Sequence, residues 1–544
     1  VLGGYAALGV SVCAGAYFDD GFRRSLAFWG QAFPIYLHYE FVHQTTKNKT
    51  DEEIAAAFDK LHNFYAPIAK RICLDLRGFY LKTAQLASTI TSTVPPQYME
   101  WCTEMQDEVP TPFREGQARM LVEEALECPL EDIFIDWSDE PCGSASIGQV
   151  HRARLKSNGK EVAIKIQYPG IEHKFRSDLK NIIRFCKLAM PQHVKPLREI
   201  EKQFLTEFDY KLEAQNLVEI ERNLQKQWSD RVCVPKPILP LCKKTILTME
   251  YLHGVPLLKG IEKRMEVLAK QQGRTLEDLE KDFRDRYSTF DEVKDNGEGS
   301  NSSSNDSVHG PSSLAEEAST IRWAQRLMLA QDAVMNLPRF LFNYTFGFLF
   351  GKYTIKWSDP PLNLAEIIQL LLQVHAHEIF IDGVFNGDPH PGNVLLMEDG
   401  RLGLIDYGQV KRIAPETRVT YAKLIIALCE DNKDDIIRIW NKDMNQKSRV
   451  NDPDVTYLLA CFWHDRNTRD VVGNWNLHQF LEVMEERDPV ELVNEEYVMA
   501  ARVSVLMRGF GNMLGLSLRV APLWRPYAEE AIKLYGHVEG GGCR

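Results

Sequence analysis

The strongest constraint on the fold is a pair of short apolar runs joined by Asp399-Gly400, with oxygen-bearing side chains at both outer ends. Asp-Gly is favoured in tight hairpin turns, so the two runs are predicted to be neighbouring strands. Such a hairpin brings Asn393, before the first strand, and Asp406, after the second, to the same end. One amide and one carboxylate oxygen suit Mg²⁺, which takes few protein ligands and completes its shell with phosphates and water.

Asp388 stands five residues before Asn393. Kinases separate the aspartate and asparagine of the catalytic loop by the same interval. An Asp and an Asn at this spacing are common by chance, so the match needs a second motif in the right place. In kinases that second motif is a phosphate-binding loop, and it lies upstream of the catalytic loop.

A loop of small residues precedes a strand-like run that ends at Lys165. Small side chains let backbone amides approach a polyphosphate, and a lysine supplies a point charge to it. A plain β-hairpin remains open as the alternative for this loop alone. The loop and Lys165 precede the Asp388 motif in the chain, as in kinases, and this order favours phosphate binding. The candidate nucleotide-binding residues of the loop are Gly143, Ser144, Ala145, Ser146, Gly148 and Val150.

Length and composition set the class of protein. A chain of 544 residues is longer than a single hydrophobic core usually stabilises. Its composition, with 44% hydrophobic and 26% charged residues, is that of an ordinary globular protein. A formal charge of −12 argues against a protein that binds nucleic acid over its whole surface. The eleven cysteines contain no C-x-x-C pair and indicate reduced thiols.

These motifs, together with Lys82-Thr-Ala-Gln85, Glu207-Phe-Asp209 and Glu213, resemble the UbiB-type atypical kinase family, also called ABC1 kinase-like. The resemblance covers roughly residues 51–519. It implies an α+β, protein-kinase-like two-lobed fold, with an N-terminal helical extension over the active site. It also implies ATP and Mg²⁺ as cofactors.

The resemblance further implies a role for each matching residue. Lys165 is the ATP lysine and Glu213 its ion-pair partner, while Asp388 is the catalytic-loop aspartate. Asn393 and Asp406 are the metal ligands. The hinge that receives adenine includes Glu250 and Leu252, and the lid contacts are Lys82, Gln85, Glu207 and Asp209.

The chain departs from the family pattern at several positions. Ala84 stands where the lid motif has Gly, which matters if the backbone there needs positive φ. The phosphate loop carries Gly143 and Gly148 where the family often has an Ala-rich loop. Asn386 stands two residues before Asp388, where the family commonly has a His. The sequence Ala414-Pro-Glu416 spells a kinase motif but leaves no room for an activation loop, so we interpret it as a helix start.

Four regions are predicted: an apolar, membrane-proximal segment at 1–50, the helical extension at 51–130, the first lobe at 131–255 and the second at 256–535. A disordered insertion is expected at about 271–315, where large apolar residues are rare. The uncharged stretch 1–18 is equally compatible with a membrane helix and a buried one. The Phe-rich stretch 337–350 is too short to span a bilayer, which favours a core or interface helix over a membrane contact.

Three functions remain open. The first is an atypical kinase or ATPase on an organellar membrane, mitochondrial or alternatively plastid, that supports isoprenoid-quinone or lipid metabolism. Its expected partners are nucleotide, a membrane lipid or lipid-like small molecule, and proteins of a biosynthetic complex, but no nucleic acid. The second is a nucleotide-binding pseudokinase scaffold without turnover. The third, a small-molecule phosphotransferase, leaves the lid residues unexplained.

Overall fold

The computed structural model describes most of the chain but not all of it. The apolar segment predicted at 1–18, most of the insertion predicted at 271–315 and the side chain of Gln85 lie outside what it describes. The described residues are 20–47, 49–88, 95–107, 113–189, 198, 201, 204–275, 311–345, 352–358, 362–473, 475, 477–514, 516 and 518–537.

Helices dominate the described residues. In chain order they are α1 Asp20–Thr46, α2 Asp51–Leu76, α3 Phe79–Ser88, α4 Pro96–Asp107, α5 Gln117–Leu126, α6 Leu130–Ile133, α7 Ile171–Ala189, α8 Tyr210–Trp228, α9 Leu257–Gln272, α10 Pro311–Thr345, α11 Leu364–His377, α12 Pro415–Cys429, α13 Lys433–Arg438, α14 Pro453–His464, α15 Arg469–Val472, α16 Leu477–Arg487, α17 Glu495–Met513 and α18 Val520–Tyr535.

The strands are short and mostly antiparallel. In chain order they are β1 Phe134–Ile135, β2 Gly143–Ser144, β3 Gly148–Leu155, β4 Glu161–Gln167, β5 Val232–Cys233, β6 Ile246–Glu250, β7 Gly254–Pro256, β8 Val384–Asn386, β9 Val394–Met397, β10 Leu402–Leu404, β11 Val410–Arg412, β12 Lys447–Ser448 and β13 Val490–Leu492.

The chain divides into two compact units. The first comprises residues 1–253 and 401–409, and the second comprises 254–400 and 410–544. The chain first passes from one unit to the other between His253 and Gly254, directly after the predicted hinge.

In the first unit, α1 precedes the region 51–130 that was predicted to be the helical extension and that contains α2 to α5. A capping box starts α2: the Glu53 amide donates to the Thr50 hydroxyl, and the Glu53 carboxylate accepts from the Thr50 amide. α3, which carries Lys82, buries Leu81 and Ala84 against Trp101 of α4. Ala84 is helical, so Ala in place of Gly requires no unusual backbone conformation there.

An antiparallel sheet in the order β1-β3-β4-β6 completes the first unit, with β2 paired to β3. The register places Val150 opposite Lys165, so the end of the phosphate loop and the predicted ATP lysine are cross-strand neighbours. One face of the sheet packs on α5 through Val122, Ile164 and Ile246. This packing fixes the strand that carries Lys165.

The second unit is built around α11. Leu364–Asp382, which includes a π-helical turn after α11, is the described helix with the length and mean hydropathy of a membrane span, 1.3. However, 72% of that window is buried, as in a core helix, and the Trp524 indole donates to the Leu372 carbonyl at 3.1 Å. α12 begins at Pro415 with the proline in its first turn, which confirms the helix-start interpretation of this motif.

Two sequence predictions about strands and helices have contrasting outcomes. The runs beside Asp399-Gly400 are strands β9 and β10, as predicted. The stretch 337–350 was predicted to be a core or interface helix. Core packing is wrong for its described part, because Leu337 and Leu341 at the end of α10 are more than half exposed, and the interface alternative stays a prediction. Residues 346–350 lie outside the described residues.

The second unit contains a cluster of ion pairs around the buried Asp465. The Asp465 side chain is fully buried and accepts from Arg519 at 2.8 Å, Arg466 at 2.9 Å and the Ala521 amide at 2.9 Å. We expect Asp465→Ala to lower the free energy of unfolding by about 3–5 kcal/mol, because the buried Arg466 and the partly exposed Arg519 lose their shared carboxylate. Urea unfolding measures this. Asp454→Ala, which breaks an exposed pair with Lys433, is the control and should cost at most about 1 kcal/mol; equal losses would contradict the prediction.

Candidate active site

Lys165 lies at the centre of the candidate site in the first unit. Its Nζ donates to Glu213 Oε1 at 2.9 Å and Oε2 at 3.1 Å, and to Asp406 Oδ2 at 3.0 Å. Glu213 is in the first turn of α8, and Asp406 follows β10 by two residues. The structure thus brings together three residues that the sequence assigned to nucleotide and metal binding.

Burial opposes every charge in this cluster. It raises the pKa of Glu213 to about 7, which the Lys165 ammonium only partly offsets. Burial also disfavours the charged form of Lys165, but Asp406 and Glu213 outweigh it and hold the pKa of Lys165 well above its usual range. Asp406 is penalised by burial too, yet Lys165 and the Gly408 amide lower the pKa of Asp406. Glu213 is therefore the group of the three that titrates near neutral pH.

The phosphate loop is a tight hairpin between β2 and β3. The Ala145 amide donates to the Gly148 carbonyl at 2.8 Å, and the Ser144 hydroxyl lies 2.7 Å from the Tyr168 hydroxyl. Ser146 is buried. At Gly148 an added Cβ would lie 2.4 Å from the Ile166 carbonyl oxygen, so this position admits only glycine.

The lid residues lie close to this cluster in the first unit. Lys82 Nζ is 3.0 Å from Glu207 Oε1, and the Gln409 amide also donates to Glu207. The Asp209 carboxylate accepts from the Lys211 and Leu212 amides and caps α8. Glu207 thus contacts the lid lysine, while Asp209 fixes the start of the helix that carries Glu213.

The predicted hinge residues follow the sheet. Glu250 is the last residue of β6, and its amide donates to the Lys236 carbonyl at 2.9 Å. Leu252 is half-buried in the segment between β6 and the end of the first unit. Glu250 therefore ends the strand that pairs with β4, and Leu252 follows it by two residues.

Asp388 and Asn393 belong to the second unit. Asp388 follows β8, and Asn393 ends a 3₁₀ turn immediately before β9. Asn386 orders the loop from within, since its side-chain oxygen accepts from the Asp388 amide at 2.9 Å. Arg502 of α17 donates to Asp388 Oδ1 at 2.9 Å.

A family model for the ABC1 atypical kinase-like domain matches residues 104–283 and 354–440. The two matched segments contain the phosphate loop, Lys165, Glu213, Asp388 and Asp406. This chain belongs to the ABC1 atypical kinase-like family. The resemblance inferred from the sequence and the α+β, protein-kinase-like fold are thereby confirmed.

Individual relatives of this ABC1 protein cover it in part. A probable protein kinase UbiB of Aeromonas salmonicida is 36% identical over 196 residues, which are 34% of this chain and 35% of that protein. The probable serine/threonine-protein kinase abkB of Dictyostelium discoideum is 25% identical over 423 residues, 76% of this chain and 49% of that protein. The matched region thus spans about a third to a half of these relatives' length.

A solved structure adds a comparison at low similarity. The complex of Rv3197 with erythromycin from Mycobacterium tuberculosis aligns with a TM-score of 0.42 and 18% identity, covering 89% of this chain and 98% of that chain. The fold assignment of this ABC1 protein rests on the family match and its own sheet topology.

The donor chemistry of the candidate metal ligands fits Mg²⁺. Asp406 offers a carboxylate that is one third exposed, and Asn393 offers an amide oxygen. Within the described residues, no group of three or more His, Cys, Asp or Glu side chains is arranged to hold a metal ion. Asp406 belongs to the first unit and Asn393 to the second, and their joint binding of Mg²⁺ stays a prediction.

Three contacts of the candidate residues join positions that are far apart in the sequence, and the first two had no signal in it. Arg502 is 114 residues from Asp388, and Gln409 is 202 residues from Glu207. The buried Asn216 donates to the Tyr407 carbonyl at 3.1 Å and ties α8 to the segment after Asp406. The position of Asn216, three residues after Glu213 and thus on a neighbouring face of one helix, is the single clue that the sequence offered.

The pKa of Glu213 makes a pH dependence testable. As pH rises from about 6 to 8, Glu213 ionises and competes with Asp406 for Lys165, so we expect Mg-nucleotide affinity to rise about threefold to tenfold. Glu213→Gln should flatten this profile, as measured by titration calorimetry. Glu172→Gln, which removes a surface carboxylate, is the control. A profile that keeps its slope in Glu213→Gln would contradict the assignment.

Arg502 is a positioning residue for Asp388, and its removal is predicted to affect turnover more than binding. A charge-assisted hydrogen bond contributes about 1.5–3 kcal/mol, so Arg502→Ala should lower kcat about tenfold to a hundredfold with little change in the KM for ATP. Arg502→Lys should recover part of the loss. Arg487→Ala breaks a comparable Arg–Asp pair on α16 and should leave both constants unchanged. A changed KM with unchanged kcat would show that Arg502 acts elsewhere.

Proposed function

We propose that this chain is an ATP- and Mg²⁺-dependent atypical kinase or ATPase that works at an organellar membrane and supports isoprenoid-quinone or lipid metabolism. The observation that carries the enzymatic part is Lys165 held between Glu213 and Asp406. A lysine and glutamate pair together with a metal-binding aspartate forms the core of phosphoryl-transfer sites in kinases.

Each residue of the candidate site has a defined role in this proposal. Glu213 orients Lys165, which holds the nucleotide phosphates beside the backbone amides of the Gly143–Gly148 loop. Bound Mg²⁺, held by Asn393 and Asp406, would supply charge neutralisation at the phosphates. Asp388, held by Arg502, orients the attacking hydroxyl or water and accepts its proton as the oxygen–phosphorus bond forms and ADP leaves.

The membrane and metabolic parts of the proposal are supported by the family resemblance and by exposed apolar residues on α1. Relatives carry the name UbiB, and the family resemblance implies a role in isoprenoid-quinone or lipid metabolism. α1 exposes Phe33, Tyr36, Leu37 and Phe41 directly after the apolar stretch 1–18. We propose a mitochondrial membrane, with a plastid as the alternative, and protein partners from a biosynthetic complex.

Asp406→Asn tests the enzymatic proposal. The substitution keeps the volume but removes the charge that binds metal and Lys165, so Mg-dependent ATP turnover should fall below about 1% of wild type. The assay compares hydrolysis with and without liposomes and phenolic quinone precursors. Asp454→Asn, an exposed carboxylate of the second unit, should retain full turnover. Undiminished turnover in Asp406→Asn would overturn the proposal.

One observation favours a pseudokinase scaffold as the second candidate. The three carboxylates Asp388, Glu207 and Asp406 are each ion-paired, to Arg502, Lys82 and Lys165. A protein locked in this arrangement binds nucleotide and signals through its lid without turnover. Nucleotide binding without hydrolysis under all conditions, together with full cellular function of Asp388→Asn, would establish the scaffold instead.

A further inference from the structure

An arm of the second unit has a surface that the catalytic proposal does not use. We define the arm as residues 322–345 of α10 together with residues 352–358. Most of it falls between the two segments that match the family model, which end at 283 and resume at 354. At its base, Leu314 and Ala318 of α10 are buried, and Asn363 donates to the Ala318 carbonyl at 2.8 Å.

One face of the arm helix is occupied by the returning chain. The Asn343 amide donates to the Tyr353 carbonyl at 2.8 Å and its oxygen accepts from the Tyr353 amide at 2.6 Å. Asn336 makes the same two contacts with the backbone of Lys356. Asp332 accepts from Ser358. The segment 352–358 therefore runs back along the polar side of the helix.

The other face of the helix is apolar and exposed. Its residues recur at alternating intervals of four and three, which places them on one side of a helix. They are Trp323, Leu327, Ala330, Val334, Leu337, Leu341 and Tyr344, and the six larger side chains are 54–83% exposed.

The returning chain adds aromatic surface to the arm. Tyr353, Ile355 and Trp357 alternate along segment 352–358, so they point to one side of it, and all three are exposed. The connecting residues 346–351 lie outside the described residues, and their sequence has no charge. Aromatic rings with a polar edge, such as Trp and Tyr, favour the boundary between lipid headgroups and acyl chains.

The charge of the arm opposes that of the chain. Residues 322–358 contain five basic residues and one acidic residue, a formal charge of +4 in a chain of −12. The basic residues are Arg322, Arg326, Arg339, Lys352 and Lys356. A basic, aromatic and apolar arm is complementary to an anionic lipid surface. A second copy of the arm would bring +4 against +4, and Pro338 would interrupt a long coiled coil beside its apolar seam.

We propose that this arm docks on an anionic lipid bilayer and lies in its interface, with the apolar face of α10 among the headgroups and upper acyl chains. The stretch 337–350 is too short to span a bilayer, but an interfacial helix does not need to span it. The inference rests on the membrane part of the proposed function and is independent of the catalytic part.

Vesicle flotation of the full chain tests the docking surface. Vesicles of phosphatidylcholine alone are compared with vesicles that also contain phosphatidylglycerol. The triple variant Leu327→Gln, Val334→Gln, Leu341→Gln should lower binding to the anionic vesicles at least about tenfold. Arg339→Gln, Lys352→Gln, Lys356→Gln should lower binding to anionic vesicles, about fivefold per charge, and leave the weaker binding to neutral vesicles unchanged.

Each variant has a matched control outside the arm. Met120→Gln, Val450→Gln, Leu534→Gln removes three apolar side chains that are 53–64% exposed, close to the exposure of the arm residues. Lys60→Gln, Lys226→Gln, Lys442→Gln removes three exposed charges. Both controls should float like wild type, and circular dichroism should be the same for all five proteins.

The outcomes separate this inference from the proposed function. Wild-type flotation that survives the arm substitutions would place membrane contact elsewhere, for instance at α1, and overturn the inference while leaving the membrane proposal intact. A loss of self-association in the apolar variant, measured by light scattering with no vesicle binding in wild type, would make the arm a dimer surface instead. Flotation through the arm with no ATP turnover would support the inference and overturn the kinase.

Discussion

A single ammonium group, that of Lys165, links the separate segments that form the candidate site in the first unit. It joins carboxylates that are 48 and 241 residues away in the sequence, and it does so where burial penalises all three charges. Such a cluster is tolerated only when its geometry is fixed by other elements. The sheet register fixes Lys165, the cap at Asp209 fixes Glu213, and Asn216 fixes the segment after Asp406.

The sequence predicted those parts of the site that depend on local spacing. Gly143 to Gly148, the strand that carries Lys165 and the hairpin near Asp399 are each encoded within a few residues, where turn chemistry and alternation have direct effects. Contacts between distant segments were not predictable, because the pairing of Arg502 with Asp388 has no local pattern. Asp209 was assigned to the lid by resemblance, and the sequence offered no signal that it also caps α8.

The length of the stretch 337–350 did not decide between the two environments predicted for it. A length criterion tests whether an apolar stretch can cross a bilayer, and failure of that test was taken to favour a core or interface helix. Core helices, however, need an apolar stripe that faces other elements, and here the polar residues Asn336 and Asn343 face the returning chain while the apolar stripe is exposed. The direction of the stripe, rather than its length, decides the environment of the helix.

The two glycines of the phosphate loop differ in how much variation they permit. A methyl group at Gly148 would meet the Ile166 carbonyl and the Tyr210 hydroxyl, whereas at Gly143 it would have nothing within 4 Å. Drift toward the Ala-rich loops seen in the family can therefore begin at Gly143 by a single substitution. At Gly148 the same substitution requires coordinated changes in β4 and α8. A single glycine-to-alanine substitution is therefore tolerated at Gly143 and not at Gly148.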